Sequence, residues 1–174
     1  MIREAAHPRG RAPRVSGAAL VPALVGGGAA LLIAILGSTL TDTGPWYRAL
    51  AKPSWTPPDA AFGAIWTVIL ALWGAAAVAA WRAAPDSRRA DWLVGLFALN
   101  GFLNILWSLL FFRLQRPDLA LLEVGLLLAS ILWLIVASAR HSRAAPLMLL
   151  PYLAWVSVAA LLNWEIVRLN VPGA

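Results

Sequence analysis

The side chains able to do chemistry in this sequence are rings and amides rather than acids and bases. Ten tryptophans occur in 174 residues. Trp66, Trp73, Trp107, Trp133 and Trp155 fall inside long apolar runs, where an indole N–H without an acceptor costs desolvation energy. Asn100 and Asn104 are spaced i, i+4, so a helix puts both amides on one face, and Asn163 lies in the last run. Counted inward from the run ends at about 1.5 Å per residue, Trp66 lies about 9 Å deep, Asn104 and Ala159 about 12 Å, and Trp155 about 18 Å, with Trp107 and Asn163 shallower on the same side. Rings and amides thus gather at one level, which suits an apolar pocket for a flat aromatic ligand. Two indole faces against such a ligand would each contribute about 0.5–1.5 kcal/mol beyond area burial, and the amides would hold its polar edges. That is binding chemistry. The competing reading of the amides is interhelical glue, worth roughly 0.6–2 kcal/mol each.

The usual catalytic groups are sparse. There is no cysteine, and the two histidines, His7 and His141, fall outside the apolar runs. A haem iron among these rings would lack a histidine or cysteine ligand, so a porphyrin would be held by stacking and edge contacts; no metal site is expected. Glu123 and Glu165 each lie about one turn inside a run. An ionisable group there is a functional candidate, but both are shallow enough to pair with Arg113, Arg116 or Arg168. No phosphate-binding loop or nucleophile arrangement is present.

Positioning these groups falls to five apolar runs, at 17–40, 60–81, 92–112, 119–139 and 146–167. Each has the roughly 20 residues needed to cross a bilayer as a helix. None alternates as a barrel strand does, and an open sheet edge cannot be satisfied in lipid. The expected fold is an all-α integral membrane protein, a bundle of five transmembrane helices in one domain over 17–170, with a basic tail at 1–16 and a short tail at 171–174. Asp59, Asp91, Pro117-Asp118 and Pro146 supply start signals. The first run follows four arginines, so a cleaved signal peptide competes with a retained span, but its length and the absence of a small-x-small cleavage site favour retention. Trp81, Trp92 and Trp164 fall near run ends, at headgroup level. Gly26, Ala30 and Ala34, and again Gly125 and Ala129, form small-residue stripes that permit close helix approach or a dimer seam.

The net charge of +6 does not indicate nucleic acid, because the arginines flank the apolar runs as topology anchors. Nine basic residues share the face of the N-terminus and five the other, which puts the N-terminus in the cytoplasm of an inner membrane; an outer or organellar membrane would void the rule.

The connector between the first two runs, "WYRALAKPSWTPP" at 46–58, is expected to be a stiff lid. Pro53, Pro57 and Pro58 restrict its backbone, and Trp46, Tyr47 and Trp55, with Leu50 and Lys52 between them, supply apolar bodies with polar tips able to cap a cavity. An interfacial belt with no gating role is the alternative.

Together with "FGAIWTVILALWGAA", "LNGFLNILWSLLFF" and "PYLAWVSVAALLN", this connector resembles the TspO/translocator-protein family of tryptophan-rich sensory proteins over residues 20–170. The resemblance implies a five-helix membrane protein, often a homodimer, that binds porphyrins or haem as ligands rather than as an obligatory cofactor. It assigns Trp66, Asn104, Trp155 and Ala159 to the pocket. The family's sterol pattern is incomplete here, since Trp164 stands where its tyrosine would and only Arg168 is kept. A tetrapyrrole therefore suits the sequence better than a sterol. The resemblance also admits light- and oxygen-dependent porphyrin breakdown, with Trp66 and Trp155 as the reacting groups. A membrane scaffold is the third reading.

Overall fold

The computed structural model describes residues 17–170; the N-terminal basic tail, with His7, and the last four residues lie outside them. Six helices follow one another: α1 (Gly17–Leu40), the short α2 (Pro45–Ala49), α3 (Asp59–Ala83), α4 (Ser87–Ser108), α5 (Pro117–Ala139) and α6 (Ala144–Asn170), with a π-helical turn at Leu109–Arg113 extending α4. Five of these are long and apolar enough to cross a membrane, and no strand occurs among the described residues.

Local chemistry explains the boundaries. Pro45 opens α2 and Pro117 opens α5, as a residue without an N–H does at no cost in the first turn. The α4 helix begins at Ser87, five residues before its apolar run. Asp86, and not Asp91, is its N-cap, the carboxylate accepting from the Arg89 N–H at 2.8 Å. The first turn is therefore charged and stands outside the apolar stretch. At the other end the π turn closes with Leu114 N–H donating to Leu109 O (2.9 Å), and Arg116 N–H reaches back to Leu110 O (2.9 Å). Gln115 takes a left-handed φ of 53° to end the helix. The wide turn re-aims Phe111 and Phe112 towards the bundle interior, where Phe111 is buried.

Packing pairs α5 with α6 and α4, and α3 with α1 and α6. In lipid, close approach needs small residues. A Cβ on Gly26 would lie 2.8 Å from Val78 Cγ2 and 3.1 Å from Gly74 O, and one on Gly74 would lie 3.2 Å from both Ala30 Cβ and Gly26 O. The first small-residue stripe thus seals α1 against α3, whereas Gly125 faces open space. Outward positions are apolar, with Leu24 and Leu126 more than 60% exposed, as suits helices whose outer solvent is hydrocarbon.

Polar side chains stitch the interior. Trp73 Nε1 donates to Asn100 Oδ1 (2.8 Å), Asn100 Nδ2 donates to Ser130 Oγ (2.8 Å), and Ser130 Oγ donates to Leu127 O (2.7 Å). This chain crosses from α3 through α4 to α5 in a fully buried setting. Replacing Asn100 with alanine strands the Trp73 N–H, so thermal unfolding in detergent should show a loss of about 1–3 kcal/mol. An unchanged midpoint would show that the chain contributes nothing.

Candidate functional site

The α1–α3 seal sits at Gly26 and Gly74, and beyond it, toward the connector, the helices part around a half-open cavity of about 790 Å³ whose α1 wall includes the outward-exposed Leu31 and Ile35. Its wall comes from α1 between Ala30 and Ser38, from Asp59 to Ala71 of α3, from Asn104, Trp107 and Ser108 of α4, from Phe112 of the π turn, and from Trp155 and Ala159 of α6, with Tyr47 of α2 on the connector side. Such a volume lies in the range of small-molecule sites.

Of the seven residues singled out for ligand binding, Trp66, Asn104, Trp107, Trp155 and Ala159 line this cavity. Trp66 is set edge-on against Tyr152 (centroids 6.3 Å, 66°), and Trp155 edge-on against Phe62 (5.5 Å, 71°). Trp107 stacks on Phe111 at 5.1 Å and 21°. These contacts restrict the ring orientations, so little side-chain entropy would be left to lose on any further contact. Asn104 Nδ2 donates to Tyr152 Oη at 3.2 Å. Its carbonyl oxygen has no partner among the described residues and stays available to a ligand donor.

Asn100 and Asn163 are placed elsewhere. Asn100 is consumed by the Trp73–Ser130 chain. Asn163 accepts from Trp107 Nε1 (3.2 Å) and donates to Pro117 O (2.8 Å), so it orients a wall indole and ties α6 to the start of α5.

The connector residues divide in the same way. Tyr47 is buried and lines the cavity; burial, and secondarily the Asp59 carboxylate, push its phenol above the usual value, which keeps it a neutral donor and acceptor. The Lys52 ammonium sits 4.3 Å from the Tyr47 ring centroid and donates to Tyr47 O. Trp46 and Leu50 pack in the cluster around Phe111, Trp46 edge-on at 5.9 Å. Pro53 O accepts from both Thr56 N (3.0 Å) and Thr56 Oγ1 (2.7 Å), giving a tight turn. Trp55 is exposed, and Trp55, Pro57 and Pro58 lie outside the lining. The far end is clamped by Asn170, whose amide accepts from Ala51 N (2.9 Å) and donates to Ala51 O (2.8 Å).

Several contributors escaped the sequence reading. The α1 wall, Phe62, Phe112 and Asp59 line the cavity, and Tyr152 braces it from behind. A tyrosine inside an apolar run was the one visible signal. The two intramembrane carboxylates also part company. Glu165 pairs with Arg168 at 2.5 Å, but Glu123 is buried with neither oxygen bonded; of its expected partners Arg116 pairs with Asp118 at 2.6 Å and Arg168 with Glu165, while Arg113 makes no ion pair among the described residues. An unpartnered buried carboxyl group is destabilising. Glu123→Met should therefore raise the unfolding midpoint by about 2–8 °C, corresponding to roughly 1–2 kcal/mol; a lower midpoint would reveal a partner for the carboxyl group.

The sequence profile of the TspO/MBR family matches residues 19–169. The chain is 39% identical over 145 residues to the tryptophan-rich protein TspO of Chlorobaculum tepidum, covering 82% of this chain and 92% of that one. Protein CrtK of Rhodobacter capsulatus is 34% identical over 135 residues (75% and 81% covered). The translocator protein of Sus scrofa is 34% identical over 126 residues (72% and 75%).

Proposed function

The chain belongs to the TspO/MBR family, and from that premise we propose that it is a membrane-embedded binding protein for tetrapyrroles, acting as their sensor, regulator or carrier. With five apolar helices and this family, it is an integral multi-pass membrane protein. The observation that carries the proposal is the cavity of about 790 Å³ walled by Trp66, Trp107 and Trp155, with the Asn104 carbonyl oxygen unclaimed inside it. Indole faces suit a flat macrocycle and the amide suits a pyrrole N–H or a protonated edge. The wall is mostly apolar, and Asp59 at its connector end disfavours a second carboxylate there. With the N-terminus cytoplasmic in an inner membrane, the cavity lies in the outer half of the bilayer, beneath a connector tied down by Asn170. Titration of the detergent-solubilised protein with protoporphyrin, followed by tryptophan emission, tests the reading. Saturable quenching at one macrocycle per chain is expected at micromolar concentration. Linear, non-saturating quenching would remove the proposal.

A further inference from the structure

At the opposite end of the bundle a second concavity, of about 500 Å³, opens between the first turn of α4 and the last turn of α5. Arg88, Arg89 and Arg140 line it, with Trp92, Leu93 and Ala137 forming its apolar side. The cations there are conspicuously underused. On the connector face Arg48, Lys52, Arg116 and Arg168 each bond a protein oxygen, and among the described residues only Arg113 there does not. Around the second concavity Arg89 alone does so, pairing with Asp86 at 3.3 Å, and Asp86 is further occupied in capping α4. Arg88 and Arg140 have no acceptor among the described residues. Three guanidinium groups therefore meet one engaged carboxylate.

Below them the seam is aromatic. Trp92 and Trp133 meet edge-on at 6.0 Å and 68°, and both are about half exposed on the outer surface. At about 1.5 Å per residue, Trp92 lies about 8 Å below the start of α4 and Trp133 about 9 Å below the end of α5. The two indoles thus share one level, at the boundary between headgroups and acyl chains. A cationic rim above an indole-walled apolar seam matches an amphiphile with an anionic head, and guanidinium groups bind phosphate in paired hydrogen bonds.

We propose that the α4–α5 groove is a binding site for an anionic phospholipid, its phosphate held by Arg88 and Arg140 and its chains lying along Trp92 and Trp133. Basic pockets between transmembrane helices are a recognised setting for anionic lipid heads. The site is independent of the tetrapyrrole cavity, which lies at the other end of the bundle.

The test uses the full-length protein reconstituted in bilayers of phosphatidylcholine mixed with phosphatidylglycerol, then extracted and analysed for retained lipid by native mass spectrometry. Wild-type protein should retain phosphatidylglycerol in preference to phosphatidylcholine. The R88Q/R140Q variant should lose that preference by roughly 30-fold, the sum expected for two basic contacts at a membrane surface. R88K/R140K should keep part of it, and R113Q on the opposite face should keep all of it. Equal retention of both lipids by wild-type protein would overturn the proposal without recourse to any variant. So would an unaltered preference in R88Q/R140Q, or an equal loss in R113Q. Displacement of the lipid by millimolar inorganic phosphate would identify a soluble anion as the ligand and overturn the lipid assignment.

Discussion

Replacing both Trp66 and Trp155 with alanine should weaken protoporphyrin binding by on the order of 100-fold or more, read as the shift in quenching midpoint using the remaining tryptophans. Each indole supplies about 0.5–1.5 kcal/mol of ring interaction plus the apolar area it covers, and a factor of 10 in affinity is about 1.4 kcal/mol. The phenylalanine double variant separates ring from N–H. Trp155 Nε1 is buried without an acceptor, so its loss costs no hydrogen bond to the described residues, and phenylalanine keeps an aromatic face. That variant should lose less than about tenfold. Alanine and phenylalanine variants of equal, undiminished affinity would remove both indoles from the site. Light-dependent loss of porphyrin in the wild type but not in the phenylalanine variant, at equal binding, would show that the N-heterocycle reacts as well as binds.

The five spans were readable because hydrocarbon thickness fixes a helix length, and composition reports it directly. Depth was readable for the same reason: a constant rise turns residue number into distance, which is why Trp66, Asn104, Trp155 and Ala159 could be grouped before any coordinates. What the sequence does not carry is the competition for each polar group. Asn100 has the same residue type, face and neighbourhood as Asn104, yet Trp73 and Ser130 claim it, while Asn104 keeps an unbonded oxygen beside the cavity. Asn163 differs from a ligand contact only in that Pro117 O and Trp107 Nε1 lie within its reach. The contribution of α1 was invisible because its lining residues are ordinary span residues. Phe112 depended on the π turn, a one-residue widening that leaves no periodicity to find.

The prolines and aromatic residues of the connector were legible, but not the different surroundings each of them takes. Its prolines stiffen the backbone, and the structure adds the two tethers that stiffness alone does not supply: the Lys52 ammonium on the Tyr47 ring and carbonyl, and the reciprocal pair between Asn170 and Ala51. Tyr47 alone among the aromatic residues of the connector reaches the cavity lining, while Trp46 packs against Phe111 and Trp55 is exposed.

Filling the cavity should be as damaging to binding as stripping its walls, and the sign of the stability change tells the two apart. Ala159 faces the cavity from α6, at the level of Asn104. An Ala159→Trp side chain would occupy space that a macrocycle needs, so protoporphyrin affinity should fall on the order of 100-fold or more. Because the added ring enters a void rather than a packed core, it gains dispersion contacts without the usual overpacking cost. The unfolding midpoint should stay level or rise, whereas the double alanine variant, which enlarges the void, should lower it. Ala154→Trp, at an exposed position on the same helix, should leave affinity and midpoint close to wild type. Undiminished binding by Ala159→Trp would place the macrocycle outside this cavity, and lost binding with a collapsed midpoint would mean that the space is too tightly braced by Phe62, Trp66 and Tyr152 to admit any ring at all.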